Sequence, residues 1–370
     1  MIYLDYSANT PVNQKVLEAF NKTTLAYFGN PNSLHENGNK AKKKIDRASQ
    51  LIADYFHTKK ENIIYTSGSS ESNNLVIKGI ADRYKNQGKH IIVSAIEHSS
   101  IIAPCNYLAS NGFEITVIPL LSNGEIDIDS LKKALRKDTI LVSVSAVDPE
   151  LGTIEPIQEI AEILKDYPNA YFHTDATGAI GKINMNYVGI DFLTFAPHKF
   201  YGLNGSGVLI NFNDIKITPL IHGGKSTTIY RGGTPDTANI IATSIALQEA
   251  TEKLDDNIKY ISNLKYEIIN NLKKINGVHI NTPSNSIPNI VNFSINNADE
   301  IVKKLSDKKI YVSTKTACSS KNAPSKSVLA VTKDLNLAKN SIRVSLSHLT
   351  TKEEIDTFLK ELTEVINENN

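Results

Sequence analysis

Two spacings of apolar residues alternate along the chain. Short apolar runs bounded by turn residues predict strands at 62–66, 90–94, 114–119, 140–146, 171–175, 192–196 and 208–211. Between them apolar positions recur every three or four residues. They predict helices at 12–27, 35–56, 75–86, 99–110, 130–137 and 156–165, then a long helical stretch from 237 to about 275. Such strand–helix alternation builds a mainly parallel sheet covered on both faces, an α/β architecture. Ligands of these sheets sit at the carboxyl ends of the strands. After the long helix the order changes: strand-like 278–281, 290–295, 310–313 and 342–346 mix with helical 298–306, 327–331 and 352–366. The expected division is a large domain over 15–252 and a smaller α+β domain made of 1–14 with 253–370, which carries Cys318.

Composition narrows the class. The 370 residues include 40 basic and 39 acidic ones, a formal charge of +1, without blocks of like charge. Neither nucleic acid nor an anionic membrane is expected as a direct partner. No apolar run is long enough to cross a bilayer, and Met1-Ile2-Tyr3-Leu4-Asp5 does not read as a signal peptide. Two cysteines, Cys105 and Cys318, cannot build a disulfide framework, so a reducing cytoplasm is the expected compartment. Arginine is scarce, at positions 47, 83, 136, 231 and 343 only. Where it is kept in a lysine-rich chain, its planar fork suits a carboxylate or phosphate.

The residues able to do chemistry fall at strand ends. The strand at 192–196 breaks at Pro197 and delivers His198 and Lys199 into a turn. A lysine partly removed from water there has a lowered pKa and can condense with a carbonyl, although a plain surface lysine fits the same window. Asp175 closes the strand 171–175 and needs a partner: a protonated pyridine nitrogen would serve, and so would a helix N-terminus. Ser67-Gly68-Ser69-Ser70-Glu71 leads from strand to helix and reads either as an anion cradle or as an ordinary N-cap. His98 follows 90–94 in a turn, where a solvated histidine is the plain alternative. Arg343 lies mid-strand, facing either solvent or a cleft in which it would grip a carboxylate. Cys318, in Thr316-Ala317-Cys318-Ser319-Ser320-Lys321, lacks the apolar setting of a structural cysteine, whereas Cys105 beside Pro104 has one. His222-Gly223-Gly224 and Arg231-Gly232-Gly233-Thr234-Pro235 read as backbone-approach loops or as simple turns. No metal is expected.

Together these segments resemble the cysteine desulfurase family of pyridoxal-phosphate enzymes, within the class V aminotransferases. The resemblance runs collinearly through 3–11, 30–35, 66–73, Glu97-His98, Glu150-Leu151-Gly152, 173–177, His198-Lys199, 222–224, 231–234, Ala317-Cys318 and Ser341-Ile342-Arg343. It implies fold-type I, a homodimer and pyridoxal 5'-phosphate as cofactor. On the matching positions, it implies that Lys199 bonds the cofactor and that Asp175 keeps the ring nitrogen protonated, making the ring an electron sink. It implies that His98 stacks on the ring and moves protons. Ser69, Ser70 and His198 would take the phosphate, joined by Thr234 from a second copy. Asn9 and Arg343 would bind the substrate, with Arg343 taking the carboxylate of L-cysteine or a related amino acid. Lys199 would remove the Cα proton, and the Cys318 thiolate would attack the substrate sulfur, leaving a persulfide and alanine. The spacing from Cys318 to Val328-Leu329 fits the long-loop group, which passes sulfur to an acceptor protein for iron–sulfur clusters or thiolated tRNA.

Several positions depart from the family pattern. Asp148-Pro149-Glu150 replaces Asn-Asn-Glu, Gly178 replaces a glutamine, Ala196 replaces a serine, and 225–230 replaces a Glu-Arg-Gly-like stretch. Pro149 and Gly178 remove two donors from one cofactor oxygen, which raises the pKa of the imine at Lys199. Each lost bond to that charged oxygen costs about 1.5–3 kcal/mol of cofactor binding. Water, Asp148 or Thr177 are the groups able to compensate. Two further functions stay open on these departures: a lyase for another sulfur or selenium amino acid, and a degenerate scaffold without turnover.

Overall fold

The computed structural model describes residues 1–224, 226–314 and 323–368. Its centre is a seven-stranded sheet in the order Ile63–Thr66, Gly207–Asn211, Phe192–Phe195, Tyr171–Asp175, Thr139–Ser143, His90–Ser94, Glu114–Ile118. From Phe192–Phe195 to Glu114–Ile118 every pairing is parallel, and Gly207–Asn211 runs antiparallel to both its neighbours. The inner strands are apolar almost without interruption because both faces are covered. Alternate residues go to opposite layers: Ile92, Val142, Leu193 and Ile210 join one core, Ile91, Leu141, Phe192 and Leu209 the other. The expected α/β, mainly parallel, fold-type I architecture is what the chain adopts.

A second, antiparallel sheet of Ser341–Ser345, Ile290–Ser294 and His279–Ile280 has a core of its own. Phe293, Val344, Ile268 and Phe358 fill it, together with Leu4 from the chain's start. Ile2–Tyr3 pairs in parallel with Ile310–Tyr311, which brings residues 5–8 up against the carboxyl edge of the large sheet.

Several element ends shift by a few residues, as in the strand expected at 140–146, which is Thr139–Ser143, and the helix expected at 130–137, which is Ile128–Ala134; three differences are larger. The helix expected from 75 begins at Ser69 and runs to Tyr84, so Ser69 and Ser70 form its first turn. Gly207 makes that start possible: a Cβ there would lie 2.3 Å from the Gly68 carbonyl carbon. The helical stretch from 237 to about 275 is two helices, Thr237–Glu252 and Leu254–Leu272, because Lys253 leaves helical geometry at φ −122°, ψ 31°. A short helix at Leu335–Lys339, capped by Asp334, was not expected. No helix among the described residues is long and apolar enough to cross a membrane.

Candidate active site

The carboxyl ends of neighbouring strands open into a cavity of about 330 Å³, within the size range of small-ligand sites. Asp175 ends its strand. On the adjacent one, Phe192–Phe195 passes through Ala196 into the short 3₁₀ turn Pro197–Lys199, which turns Lys199 into the same space. Ser69, Ser70, His98, His198 and Arg343 also line it. Of the residues singled out from the sequence, seven thus share one cavity.

The lysine is held from the N-terminal segment. Lys199 Nζ donates to the carbonyls of Ser7 (2.6 Å) and Ala8 (2.7 Å). Asp175 Oδ1 accepts the Thr177 amide at 2.9 Å and Oδ2 accepts from Asn73 Nδ2 at 2.7 Å. A carboxylate has about four lone-pair sites, so it retains capacity for one further donor. Asn73 also donates to Ser100 Oγ (2.9 Å), which lies 2.8 Å from His98 Nδ1. His98 caps its helix by accepting the Ser100 amide on Nδ1, which assigns the neutral ring's proton to Nε2. His98, Ser100, Asn73 and Asp175 therefore form one continuous network.

Charge in the cavity is lopsided. Burial pushes His198 down to about 4, helped by the positive charges of Lys199 and Lys182. Arg343 is only 2% exposed. It donates to Asp5 Oδ1 and to the Pro149 carbonyl, both at 2.9 Å, and its Nε is buried without a partner. Beneath His98, burial drives Glu97 up to about 7, although Ser94 and Ser145 both donate to it.

Other expected residues go elsewhere. Asn9 is exposed, its carbonyl accepts from the Tyr3 hydroxyl, and it does not line the cavity; Ser7 and Ala8 stand there instead. Thr234 lines a separate pocket of about 150 Å³ with Ser67, Gly205 and Arg231. Arg231 is ion-paired to Glu71 at 3.0 Å. Cys318 and its neighbours 315–322 lie outside the described residues. Cys105 is buried, its thiol pushed up to about 12 by burial, as a structural cysteine should be.

The departures from the family pattern have local explanations. Pro149 lines the cavity and gives its carbonyl to Arg343. Asp148 faces away from it: Oδ1 accepts the amides of Glu150 (2.8 Å) and Leu151, and Oδ2 accepts from Ser327 at 2.6 Å. Ser325 likewise donates to Glu150. Asp148 is thereby removed from the compensating groups, while Thr177 Oγ1 lines the cavity, buried and unpartnered. Sequence reasoning missed Asn73, Ser100 and Lys182. Asn73 lay inside a quoted motif without a role, and nothing marked Lys182 among so many lysines.

The chemistry of this lining suits an anionic aromatic aldehyde: an amine, a carboxylate with spare acceptor capacity, serine hydroxyls at a helix start, and the buried unsatisfied hydroxyls of Ser7 and Thr177. Pyridoxal phosphate has these features, and the residues fit it.

Comparison with known proteins agrees. The model of the aminotransferase class-V family matches residues 2–358. A cysteine desulfurase IscS of Dictyoglomus turgidum is 42% identical over 99% of this chain and 94% of its own length. A solved NifS-like protein superposes with a TM-score of 0.93 at 32% identity, covering 99% of both chains. SspA, solved in complex with cysteine, superposes with a TM-score of 0.84 at 31% identity over 95% of this chain and 100% of its own. The chain belongs to the class-V aminotransferase family and, within it, to the cysteine desulfurases.

Proposed function

We propose that this protein, loaded with pyridoxal 5'-phosphate, converts L-cysteine to L-alanine and transfers the sulfur to Cys318 as a persulfide. One observation carries the reading: Lys199 and Asp175, from adjacent strand ends, open into one cavity. Lys199 would anchor the cofactor and Asp175 would hold a proton on its ring nitrogen, with Asn73 and the Thr177 amide fixing the carboxylate. Ser69, Ser70 and the amides of the helix start would bind the phosphate, and His198, neutral at physiological pH, would add a donor rather than a charge. When bound, the cofactor supplies an electron sink that acidifies the substrate Cα.

Arg343, with its unpartnered Nε, would grip the substrate carboxylate. Lys199 Nζ would take the Cα proton, and His98, whose Nδ1 accepts the Ser100 amide and leaves Nε2 as the outward-facing nitrogen, would act at the opposite end of the network. The Cys318 thiolate would attack the substrate sulfur. The new S–S bond forms as the substrate Cβ–S bond breaks, its electron pair stays on carbon, and that carbon takes a proton to give alanine. The persulfide sulfur would go to an acceptor protein in the reducing cytosol, for iron–sulfur clusters or tRNA thiolation. Thr234, off the cavity of its own chain, is read as serving a second copy in a homodimer. The two separate cores support a division into a large domain over 15–252 and a small one from 1–14 with 253–370.

The test is incubation of the loaded protein with L-cysteine and a thiol, measuring alanine and sulfide together. Equal release of both, abolished by Lys199→Ala, is expected; Cys318→Ala should keep the cofactor and lose the persulfide. A coloured protein that ignores cysteine but shifts its spectrum with another amino acid would overturn the substrate assignment. Persulfide surviving in Cys318→Ala would overturn the role of that residue.

A further inference from the structure

Behind Lys199 stands a second lysine. Lys182 is 9% exposed and lies in the turn that follows Asp175. Gly181, at φ +73°, sets that turn: a Cβ there would meet Ala250 Cβ at 3.0 Å and Phe200 Cβ at 3.1 Å. Lys182 and Lys199 line the 330 Å³ cavity together, and both also line a smaller one of about 20 Å³. The small cavity has room for one water. Its polar lining includes Ser7 and Asn289, whose Oγ and Oδ1 atoms are buried without partners.

Among the described residues, Lys182 has no ion-pair partner: Asp175 is the one carboxylate lining the large cavity, and none lines the small one. The other titratable or charged groups facing it are Lys199 and His198 from the 3₁₀ turn, Arg343 from its strand, His98 across the large cavity, and Tyr6, Tyr201 and His348 around the small cavity. The flanking helices contribute only Ala250, Asn257 and Ile261. Burial therefore drives Lys182 down to about 7, and the charges of Lys199 and Arg343 push the same way. An unpaired buried ammonium costs stability, so packing alone gives no reason for a lysine here.

Building on the reading of Lys199 as the cofactor-bonding amine, we propose that Lys182 is the positioning residue that accepts the proton Lys199 must lose before it can attack an aldehyde. The carbonyls of Ser7 and Ala8, both accepting from Lys199 Nζ, favour the charged form of that amine. The proton then passes from Lys199 Nζ, through a water in the small cavity, to Lys182 Nζ. The free electron pair on Lys199 becomes the nucleophile, and the two amines share one positive charge throughout.

The experiment uses the full-length protein stripped of cofactor. Condensation with added pyridoxal phosphate is followed by visible absorbance from pH 6 to 10. The wild type should reach a rate plateau above about pH 7, because the neutral fraction of Lys199 is then set by the lysine pair rather than by solvent. Lys182→Met should lose the plateau, its rate rising about tenfold per pH unit through that range. Its melting temperature should not fall, since a buried amine without an ion-pair partner is replaced by an apolar side chain of similar length. Lys182→Gln serves as a second variant with the same expected profile. A folded Lys182→Met or Lys182→Gln with the wild-type plateau overturns the inference. If neither variant folds, a wild-type NMR titration in which the assigned Lys182 side chain does not change charge near pH 7 overturns it, and one in which it does supports it; Lys265, also buried and drawn down to about 8, is assigned separately. Wild-type protein that never condenses would instead overturn the reading of Lys199 itself.

Discussion

Ser327→Ala probes the junction between the departing segment 148–150 and the helix Lys326–Thr332, which follows Cys318 in sequence. The Ser327 hydroxyl donates to Asp148 Oδ2 at 2.6 Å, and Asp148 is 1% exposed, so water cannot take over the lost bond. Burial, and then the charge of Glu150, push the Asp148 carboxyl up to about 6. Above that pH the serine bonds a charged acceptor, worth about 1.5–3 kcal/mol; below it a neutral one, worth about 0.5–1.5 kcal/mol. The folded pKa lies above the unfolded one, so the native state binds the extra proton between about pH 4 and 6 and is less stable above that window. The mutation should accordingly hurt more at pH 8 than at pH 5. Native-state hydrogen exchange on the amides of 326–332 reads this locally, without assuming that the whole chain unfolds in one step. Their opening free energy should fall by about 1.5–3 kcal/mol at pH 8 and by about half that at pH 5. An equal loss at both pH values, or none, would refute the claim that Asp148 and Glu150 tether this helix by their carboxylates.

Asp175→Asn keeps an acceptor but removes the charge that would face the ring nitrogen. Cofactor affinity measured by equilibrium dialysis should drop by about 1.5–3 kcal/mol, a factor of roughly ten to a hundred and fifty. Glu155→Gln addresses stability instead. Burial drives Glu155 up to about 9, with one bond from the Ile126 amide and Oε1 unpartnered. The native state holds that proton while the unfolded chain loses it near pH 4.5, so stability declines as pH rises from there to about 9, by about 1.4 kcal/mol per unit from this group alone. The glutamine variant should lose that part of the slope in urea titrations at pH 6, 7.5 and 9.

Much of the site was legible because strand ends are marked in the sequence. Asp175 closes an apolar run and Pro197 interrupts another, so the carboxyl edge of the sheet could be located by pattern alone. The mid-strand Arg343 was legible through rarity. What stayed hidden depends on contacts distant in sequence. Ser327 reaches Asp148 across 179 positions, and Asn73 reaches Asp175 across 102. Lys182 is distinguished only by burial without a counter-ion, a property no local window carries. The break at Lys253 has neither glycine nor proline to announce it.

The proposed function rests on one amine, that of residue 199, bonding the cofactor. Borohydride reduction of the loaded protein, followed by proteolysis and mass mapping, fixes the label to its lysine. The pyridoxyl mass should appear on the peptide containing Lys199 and not on Lys182. A label on Lys182, with Lys199 unmodified, would contradict that assignment.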